Sequence, residues 1–583
     1  MGPDSEFKQD VYILGITDSH HAAAALIKNG AVIAAIEEER INRIKGWRGF
    51  PLESIKTCLK MGNIQPEDVD LITVGGRNTP NALVRHPKIF SWVISHRKQI
   101  YHQSGFLKRI YIHSQILLRA IPFGQHIAEI VSRYFFKKML FPLFKKTIPP
   151  IIFYDHHRTH AYAYFVSGFD KALTITIDNQ GDGLSSGVFA CEGDSIKRIS
   201  YCNAVNSVGY FYNLITSYLG FNHVTDVGKT VGLAAYGNPA CYDLMRKRLN
   251  FISEQGTITC TVGLGLFSES PKKLFKQLDQ FSREDVAASV QKLVEDVVTA
   301  YVEYYARKTG HRNMVLNGGV AYNIKINQRI KELDCVDDLF IFPAAGDNGL
   351  AILSAIEGYQ LYVKKKLKNR QIKHVFLGPA YTNEDIKKAL DIYEDQIVYR
   401  LSKRVDDEVA DLIAQGHIVW RFQGRLEFGP RALGHRSIVA LPNKHDIVDI
   451  INKKLGRDHF MPMCPTILAE RSGEYVEGLN SIKAPFMIIS FNVKMDKKDR
   501  IPAVVHVDNT MRPQFLEKAI DPRYWQIIAE VERKTGFPLV LNTSFNRHGE
   551  PIVCSPEDAI SSFIASDGEY LALEDYIITI KKA

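Results

Sequence analysis

The sequence predicts an α/β fold divided into more than one domain, and three observations point there. At 583 residues the chain is longer than one hydrophobic core usually serves. Short apolar runs alternate with stretches of helical periodicity. Three of those runs lead into glycine or aspartate, at Asp178, Gly318-Gly319 and Gly346-Asp347. In open sheets the ligand crevice lies beyond such strand ends, and glycines there let backbone N–H groups approach a phosphate.

The elements follow in order. Residues 1–7 (MGPDSEF) read as a cloning remnant and are set aside. Val11–Ile16, Ala22–Ile27 and Ala31–Ile36 read as strands, the last two joined by Asn29-Gly30, a hairpin turn signal. Ser54–Met61 fits an amphipathic helix and Asp70–Val74 a strand. The stretch 87–150 is both basic and apolar, and reads as a helical insertion packed on the core with its lysines in solvent. A lid over an apolar acceptor and contact with a membrane surface are the alternatives, and no membrane contact is expected. A second strand-rich unit begins near Ile151: Ala172–Ile177, Val188–Glu192, Ser195–Ser200, Asn313–Leu316 and Leu339–Pro343 read as strands, Glu284–Tyr305 as a long helix. Residues 361–399 form a linker containing the charged surface helix Tyr362–His374, and Thr382 with Asp385 completes a capping box. The expected organisation is a first domain over 8–360 and a second over 400–583.

Composition bounds the rest. Hydrophobic residues make up 45%, ordinary for a globular chain, and the net charge of +9 is too mild to argue for nucleic acid. The eight cysteines are scattered with no CxxC pair, which excludes a disulfide scaffold and a thiolate zinc site. The first apolar run is too short for a secretion signal or a span, so a cytoplasmic protein is expected.

Two clusters carry chemistry. In Asp155–His160, His156 and His160 are four residues apart and share one face if helical. With Asp178 and Asp347 they make a nitrogen and oxygen site for iron, manganese or zinc; surface or capping histidines are the plain alternative. His20 and His21 follow the first strand, either as a base or as turn residues. Lys229, in Asp226-Val227-Gly228-Lys229, is a phosphate ligand or a surface lysine; the GxxxxGK and GxGxxG patterns are absent. The second cluster is Gly424–Ser437, where Arg425, Arg431 and Arg436 are interleaved with glycines. Guanidinium forks match phosphate oxygens. Arg457, Arg512, Arg547, His548 and the polar run Asn542–Asn546, with Ser544, extend this into an anion pocket for a nucleotide or phosphoanhydride. Purely structural packing is the alternative.

These residues also carry a resemblance. HHAAAAL at 20–26, EEERxxR at 37–43, DHHxxHA at 155–161, DxGKTxGLAAYG at 226–237, LNGGVAYN at 316–323, FQGRLEFGPRALGHRS at 422–437 and LNTSFNRHGEPIV at 541–553 are jointly specific. Over nearly all of its length the chain resembles the carbamoyltransferase family of nodulation, cephamycin and tobramycin O-carbamoyltransferases. The resemblance implies an N-terminal domain with a duplicated actin and sugar-kinase core, similar to the tRNA threonylcarbamoyl-transfer enzyme. It implies a C-terminal domain similar to threonylcarbamoyl-adenylate synthase. It further implies carbamoyl phosphate and ATP with Mg²⁺ as substrates, carbamoyl-adenylate as the intermediate, and a hydroxyl or amine of a small-molecule acceptor as the target. That acceptor would be a specialised metabolite, such as an antibiotic, or a cell-surface sugar. His156, His160, Asp178 and Asp347 would hold the metal, expected to be iron; His20 would be the base, with His21 behind it. Lys229, Gly318, Gly319 and Asn323 would belong to the transfer site. Arg425, Arg431, Arg436, Lys454, Arg457, Arg512, Ser544, Asn546, Arg547 and His548 would line the adenylating pocket, Arg431 and Arg457 catalytically. A homodimer is compatible with the resemblance.

The sequence departs from the family pattern where the donor would bind. The pattern Lys-x-Arg-Glu-x-aromatic-Arg-Pro-Phe-Ala-Pro becomes Leu455-Gly456-Arg457-Asp458-His459-Phe460-Met461-Pro462-Met463-Cys464-Pro465. A lysine is missing, with Lys454 one residue away, and Met461 removes a guanidinium fork. Another adenylated donor, or a non-catalytic nucleotide-binding role, is therefore the alternative function.

Overall fold

The structure is a computed structural model that describes residues 10–79, 85, 113–114, 116–117, 124–145, 147–265, 268–363, 371–479 and 482–581. Most of the 87–150 stretch and residues 364–370 of the expected surface helix lie outside the described residues.

The N-terminal half contains the same sheet twice. The first is built from β1 (Tyr12–Thr17), β2 (Ala23–Lys28), β3 (Ala31–Glu37), β4 (Leu71–Gly75) and β5 (Ile151–Tyr154), in the order β3-β2-β1-β4-β5. The second contains β6 (Lys171–Gly181), β7 (Leu184–Glu192) and β8 (Ser195–Asn203). After a separate hairpin of β9 (Leu249–Ile252) and β10 (Thr257–Cys260), β11 (Asn313–Asn317) and β12 (Asp338–Ile341) complete it in the order β12-β11-β6-β7-β8. In each sheet the first three strands form an antiparallel meander, and two later strands add in parallel beside the first. The duplication expected from the resemblance is thus present in strand order and direction.

The apolar runs explain the layering. β1, β4 and β6 are buried along nearly their whole length, as strands covered on both faces are. Helix Leu350–Val363 packs across β1, β2 and β4 and reaches the helix that follows β5. There Glu357 accepts hydrogen bonds from Arg158 Nε at 2.9 Å and Thr159 Oγ1 at 3.2 Å. Helix Arg283–Thr309, capped by Ser282, lies against β6 and the helices Val208–Tyr218 and Val227–Ala234. Glu38 and Glu39 begin a short helix (Glu38–Asn42) directly after β3. One expectation shifts in detail. β6 runs past Ile177 to Gly181, so Asp178 lies inside it.

The C-terminal half has one eight-stranded mixed sheet. Its strands are β13 (Ile397–Leu401), β14 (Val419–Phe422), β15 (Arg436–Ala440) and β16 (Cys464–Leu468). After a two-stranded ribbon of β17 (Phe491–Asn492) and β18 (Thr510–Met511) come β19 (Gln514–Leu516), β20 (Leu539–Ser544), β21 (Tyr570–Leu573) and β22 (Tyr576–Ile580). The order is β13-β22-β21-β14-β15-β20-β16-β19. The Thr382 capping box with Asp385 is present on helix Asn383–Ile392.

Arginines staple the halves together through main-chain carbonyls. Arg40 donates to Gly429 O at 2.8 Å, Arg43 to Pro551 O and Ile552 O at 2.8 and 2.7 Å, and Arg425 to Ile33 O at 2.9 Å. Glu37 Oε1 accepts the Gly429 N–H at 2.7 Å. All eight cysteines are free and buried. Among the described residues no helix is long and apolar enough to cross a membrane.

Candidate functional site

β5 ends at Tyr154, and the Asp155 carboxylate caps the helix His156–Ala161 by accepting the Arg158 N–H at 2.9 Å. The four-residue spacing then does what helical geometry requires, and both imidazoles, fully buried, leave one face. Asp178 joins them where the β6–β7 register breaks between Ile177 and Gly181, and Asp347 from the turn Asp347–Gly349 beyond β12. His156 Nε2 stands 3.6 Å from Asp178 Oδ2 and 3.7 Å from Asp347 Oδ1; for His160 Nε2 these distances are 3.4 and 3.9 Å. One ligand atom from each residue lies within 4.8 Å of all the others. Ligands bound at about 2.0–2.2 Å are separated by about 3–4 Å, so the four fit one divalent ion. The ring nitrogens of both histidines and Asp178 Oδ2 are buried without a hydrogen-bond partner. A metal would satisfy these otherwise costly orphans. Two nitrogens and two carboxylate oxygens suit iron, manganese or zinc.

The electrostatics suit a cation. Burial works against protonation of His156, yet Asp347 and Asp178 outweigh it and push the imidazole up to about 9. Burial likewise opposes the Asp178 charge, but His156 and His160 hold its carboxyl well below the usual range. The supporting shell was not legible in the sequence. Ser19 Oγ donates to Asp347 Oδ2 at 2.5 Å, Asn317 Nδ2 donates to the His160 carbonyl at 2.8 Å, and Asp182 Oδ2 accepts the His156 N–H at 2.9 Å. Such partners fix ligand orientation. Gly181 matters by its emptiness: a Cβ there would stand 1.9 Å from His156 Cδ2. Gly181→Ala is expected to displace the imidazole and lower bound metal about tenfold or more, measured by elemental analysis after dialysis.

The other residues expected at this site divide. Gly319 abuts Asp178, and a Cβ on it would lie 3.1 Å from Oδ1. Gly318, at φ 92°, passes too close to Ile177 for any side chain, and its N–H is spent on Ala345 O at 2.8 Å. Asn323 caps helix Ile324–Lys331 and donates to Gln291. Its role in the structure is therefore a structural one. Arg48 Nε donates to His20 Nδ1 at 2.7 Å, and Arg48 Nη2 lies against both ring nitrogens. His20 gains a free lone pair only when Arg48 lets go. His21, with φ 54°, lies 3.7 Å from Glu39.

In the C-terminal half the arginines sort by partner. Arg425 and Arg436 donate to backbone carbonyls: Gly378, Leu377 and Ile33 for the first, Gln423, His435 and Gly424 for the second, with Arg436 Nε left without a partner. They hold the loop rather than offering forks to a ligand. Arg431, Arg457 and Arg512 also make no ion pair among the described residues, but of these three only Arg457 bonds a backbone carbonyl. Arg457 donates to Thr543 Oγ1 at 2.7 Å, Ser544 Oγ at 3.0 Å and Asn546 O at 3.1 Å. Arg512 donates through Nε and Nη2 to Cys464 Sγ, at 3.1 and 2.9 Å. Arg431 Nε has no hydrogen-bond partner. Burial, reinforced by Arg512, presses the Arg431 guanidinium down to about 9, and burial presses Arg457 down to about 10. Half-buried guanidiniums without counter-charges are a ready anion site.

Lys454 does not belong to that trio. It pairs with Asp567 at 3.0 Å, near the end of helix Asp446–Leu455. Lys454→Ala is accordingly expected to leave the donor KM within about twofold in steady-state assays. Arg547 is exposed and lies 3.9 Å from Glu550, and His548, depressed by burial and by Lys229, borders the inter-domain space. Lys229 spans that space, its Nζ 2.7 Å from Asp458 Oδ2 and 3.8 Å from Asp226.

A family model described as Carbamoyltransferase N-terminus matches residues 12–356, and one described as Carbamoyltransferase C-terminus matches 410–580. The chain belongs to the carbamoyltransferase family. Among the relatives of this carbamoyltransferase is an uncharacterized protein of Methanocaldococcus jannaschii, 32% identical, the match covering 97% of this chain and 99% of that one. An uncharacterized Synechocystis protein is 31% identical, over 97% and 96%. Nodulation protein NolNO of Sinorhizobium fredii is 31% identical, over 97% of this chain and 80% of its own.

Proposed function

We propose that this carbamoyltransferase makes carbamoyl-adenylate at the arginine trio and passes the carbamoyl group to a small-molecule hydroxyl or amine at the metal cluster. The observation that carries the reading is the pairing of two complementary sites in one chain. One has three guanidiniums without counter-charges, the other four buried ligands with orphaned atoms, and Lys229 and Asp458 bridge the space between.

The chemistry balances. Carbamoyl phosphate, water and ATP give carbamoyl-adenylate, phosphate and pyrophosphate; the acceptor oxygen or nitrogen then attacks the carbamoyl carbon and AMP leaves. Arg431, Arg457 and Arg512 hold donor and triphosphate oxygens, which concentrates positive charge where pyrophosphate departs. Arg457 is pre-set for this by Thr543, Ser544 and Asn546. Lys229 faces the same inter-domain space and offers a cation along the adenylate's path. His20 takes the acceptor proton once Arg48 withdraws. When bound, the metal at His156, His160, Asp178 and Asp347 supplies positive charge against the adenylate phosphate. Closure between the halves keeps water from the intermediate.

ATP–pyrophosphate exchange with purified protein and carbamoyl phosphate tests the first half without knowledge of the acceptor. Exchange dependent on carbamoyl phosphate is expected. Met461, standing where the family pattern has arginine, favours a second reading in which another acid is adenylated. Exchange with small carboxylic acids alone would establish that instead. Silence with nucleotide still bound would leave a binding role.

A further inference from the structure

Helix Gly124–Phe144 has two apolar faces where a surface helix needs one. The inner face is Ala128, Phe136, Leu140 and Phe144, all buried. Phe136 fastens it edge-on to Phe153 of β5 and to Phe50, with ring centroids 5.2 and 5.4 Å apart. The outer face is Ile127, Ile130, Tyr134 and Phe141, spaced three, four and seven residues apart and therefore in one stripe. Each of these is between 51% and 62% exposed. Single exposed apolar side chains need no explanation; a stripe of four on one helix does.

The charge around the stripe selects its partner. Lys137, Lys138 and Lys145 are exposed beside it, with Lys138 Nζ 4.6 Å from the Tyr134 ring centroid. The single carboxylate of the helix, Glu129, is neutralised by Arg133 at 2.7 Å. A protein partner or second copy with an apolar face would not require an all-cationic border. An anionic bilayer would, since lysine stems lie along the apolar zone while their ammonium groups reach the headgroups. The helix is also not apolar enough to cross a membrane. We propose that the outer face of helix Gly124–Phe144 docks this enzyme on the surface of an anionic lipid membrane, lying in the interface plane. The helix leads into β5 and the metal-ligand helix directly after it. Docking would therefore hold the N-terminal site near acceptors displayed at a membrane.

Flotation of the purified full chain tests this, with vesicles of phosphatidylcholine alone or with about 30% phosphatidylglycerol. Flotation with the anionic vesicles is expected, weakening as salt rises. The pairs Ile130→Glu with Phe141→Glu, and Lys137→Glu with Lys138→Glu, are each expected to cut it about tenfold or more while melting stays unchanged. If the first pair lowers melting, Phe141→Ser replaces it. Absence of flotation, or flotation that neither pair reduces, overturns the proposal. A change of oligomeric state with the first pair, seen by light scattering, assigns the stripe to a second copy and overturns it as well.

Discussion

Asp178→Asn is expected to separate the two halves of the reaction. Carbamoyl-phosphate-dependent ATP–pyrophosphate exchange should stay within about twofold, while transfer to an acceptor falls about 100-fold or more. The carboxylate stands 3.6 and 3.4 Å from the two imidazoles, so removing its charge weakens one candidate ligand and removes one of the two counter-charges of the cluster together. Asn179 N–H, which bonds Asp178 Oδ1 at 2.6 Å, can still bond the amide oxygen, and the strand should hold. Metal content and exchange, measured on one preparation, check this. Equal loss of both activities would mean that the cluster also serves adenylation, or that the fold has suffered.

Arg431→Met is expected to do the reverse and to raise stability. Losing a buried fork on phosphate should cost about 3 kcal/mol in the transition state, on the order of 100-fold in exchange. The unneutralised guanidinium is held in a site that already presses it down to about 9 and leaves Nε without a partner. An apolar side chain of similar length relieves that penalty, so the melting midpoint should stay level or rise. Exchange kinetics and thermal unfolding of the same variant decide it. Lost activity with lowered stability would make Arg431 a structural residue like Arg436.

Much of this was readable from residue order. The HxxxH spacing put two buried imidazoles on one helix face, because a local period decides which way neighbouring side chains point. The strand run at 172–177 located Asp178, although the irregularity that carries β6 on to Gly181 left no periodic mark. The arginines show where reading stops. Arg425, Arg431 and Arg436 look alike in Gly424–Ser437, yet two are spent on carbonyls and one is not. Which carbonyls come within reach depends on residues 33, 377 and 378, far away in sequence. Lys454 points instead to Asp567, since one residue along a helix is a turn of about 100°. Arg48, the partner of His20, carries no motif, and Asp458 stands in a family pattern that does not announce its contact with Lys229, far away in sequence. Asp182, in the turn after Gly181, left no signal in the sequence.

Apart from the ion pair of Arg43 Nε with Asp558 at 3.4 Å, the arginine staples between the halves bond main-chain oxygens. What Arg40, Arg43 and Arg425 recognise is therefore the path of the opposite backbone at Gly429, Pro551, Ile552 and Ile33. Substitutions that preserve that path leave every staple in place, whatever side chain they bring. Adding or removing a single residue in the loops that present these carbonyls moves the acceptors out of register. The seam should thus accept wide drift in sequence while forbidding change in loop length, and chimeras between relatives should succeed or fail on loop length before identity.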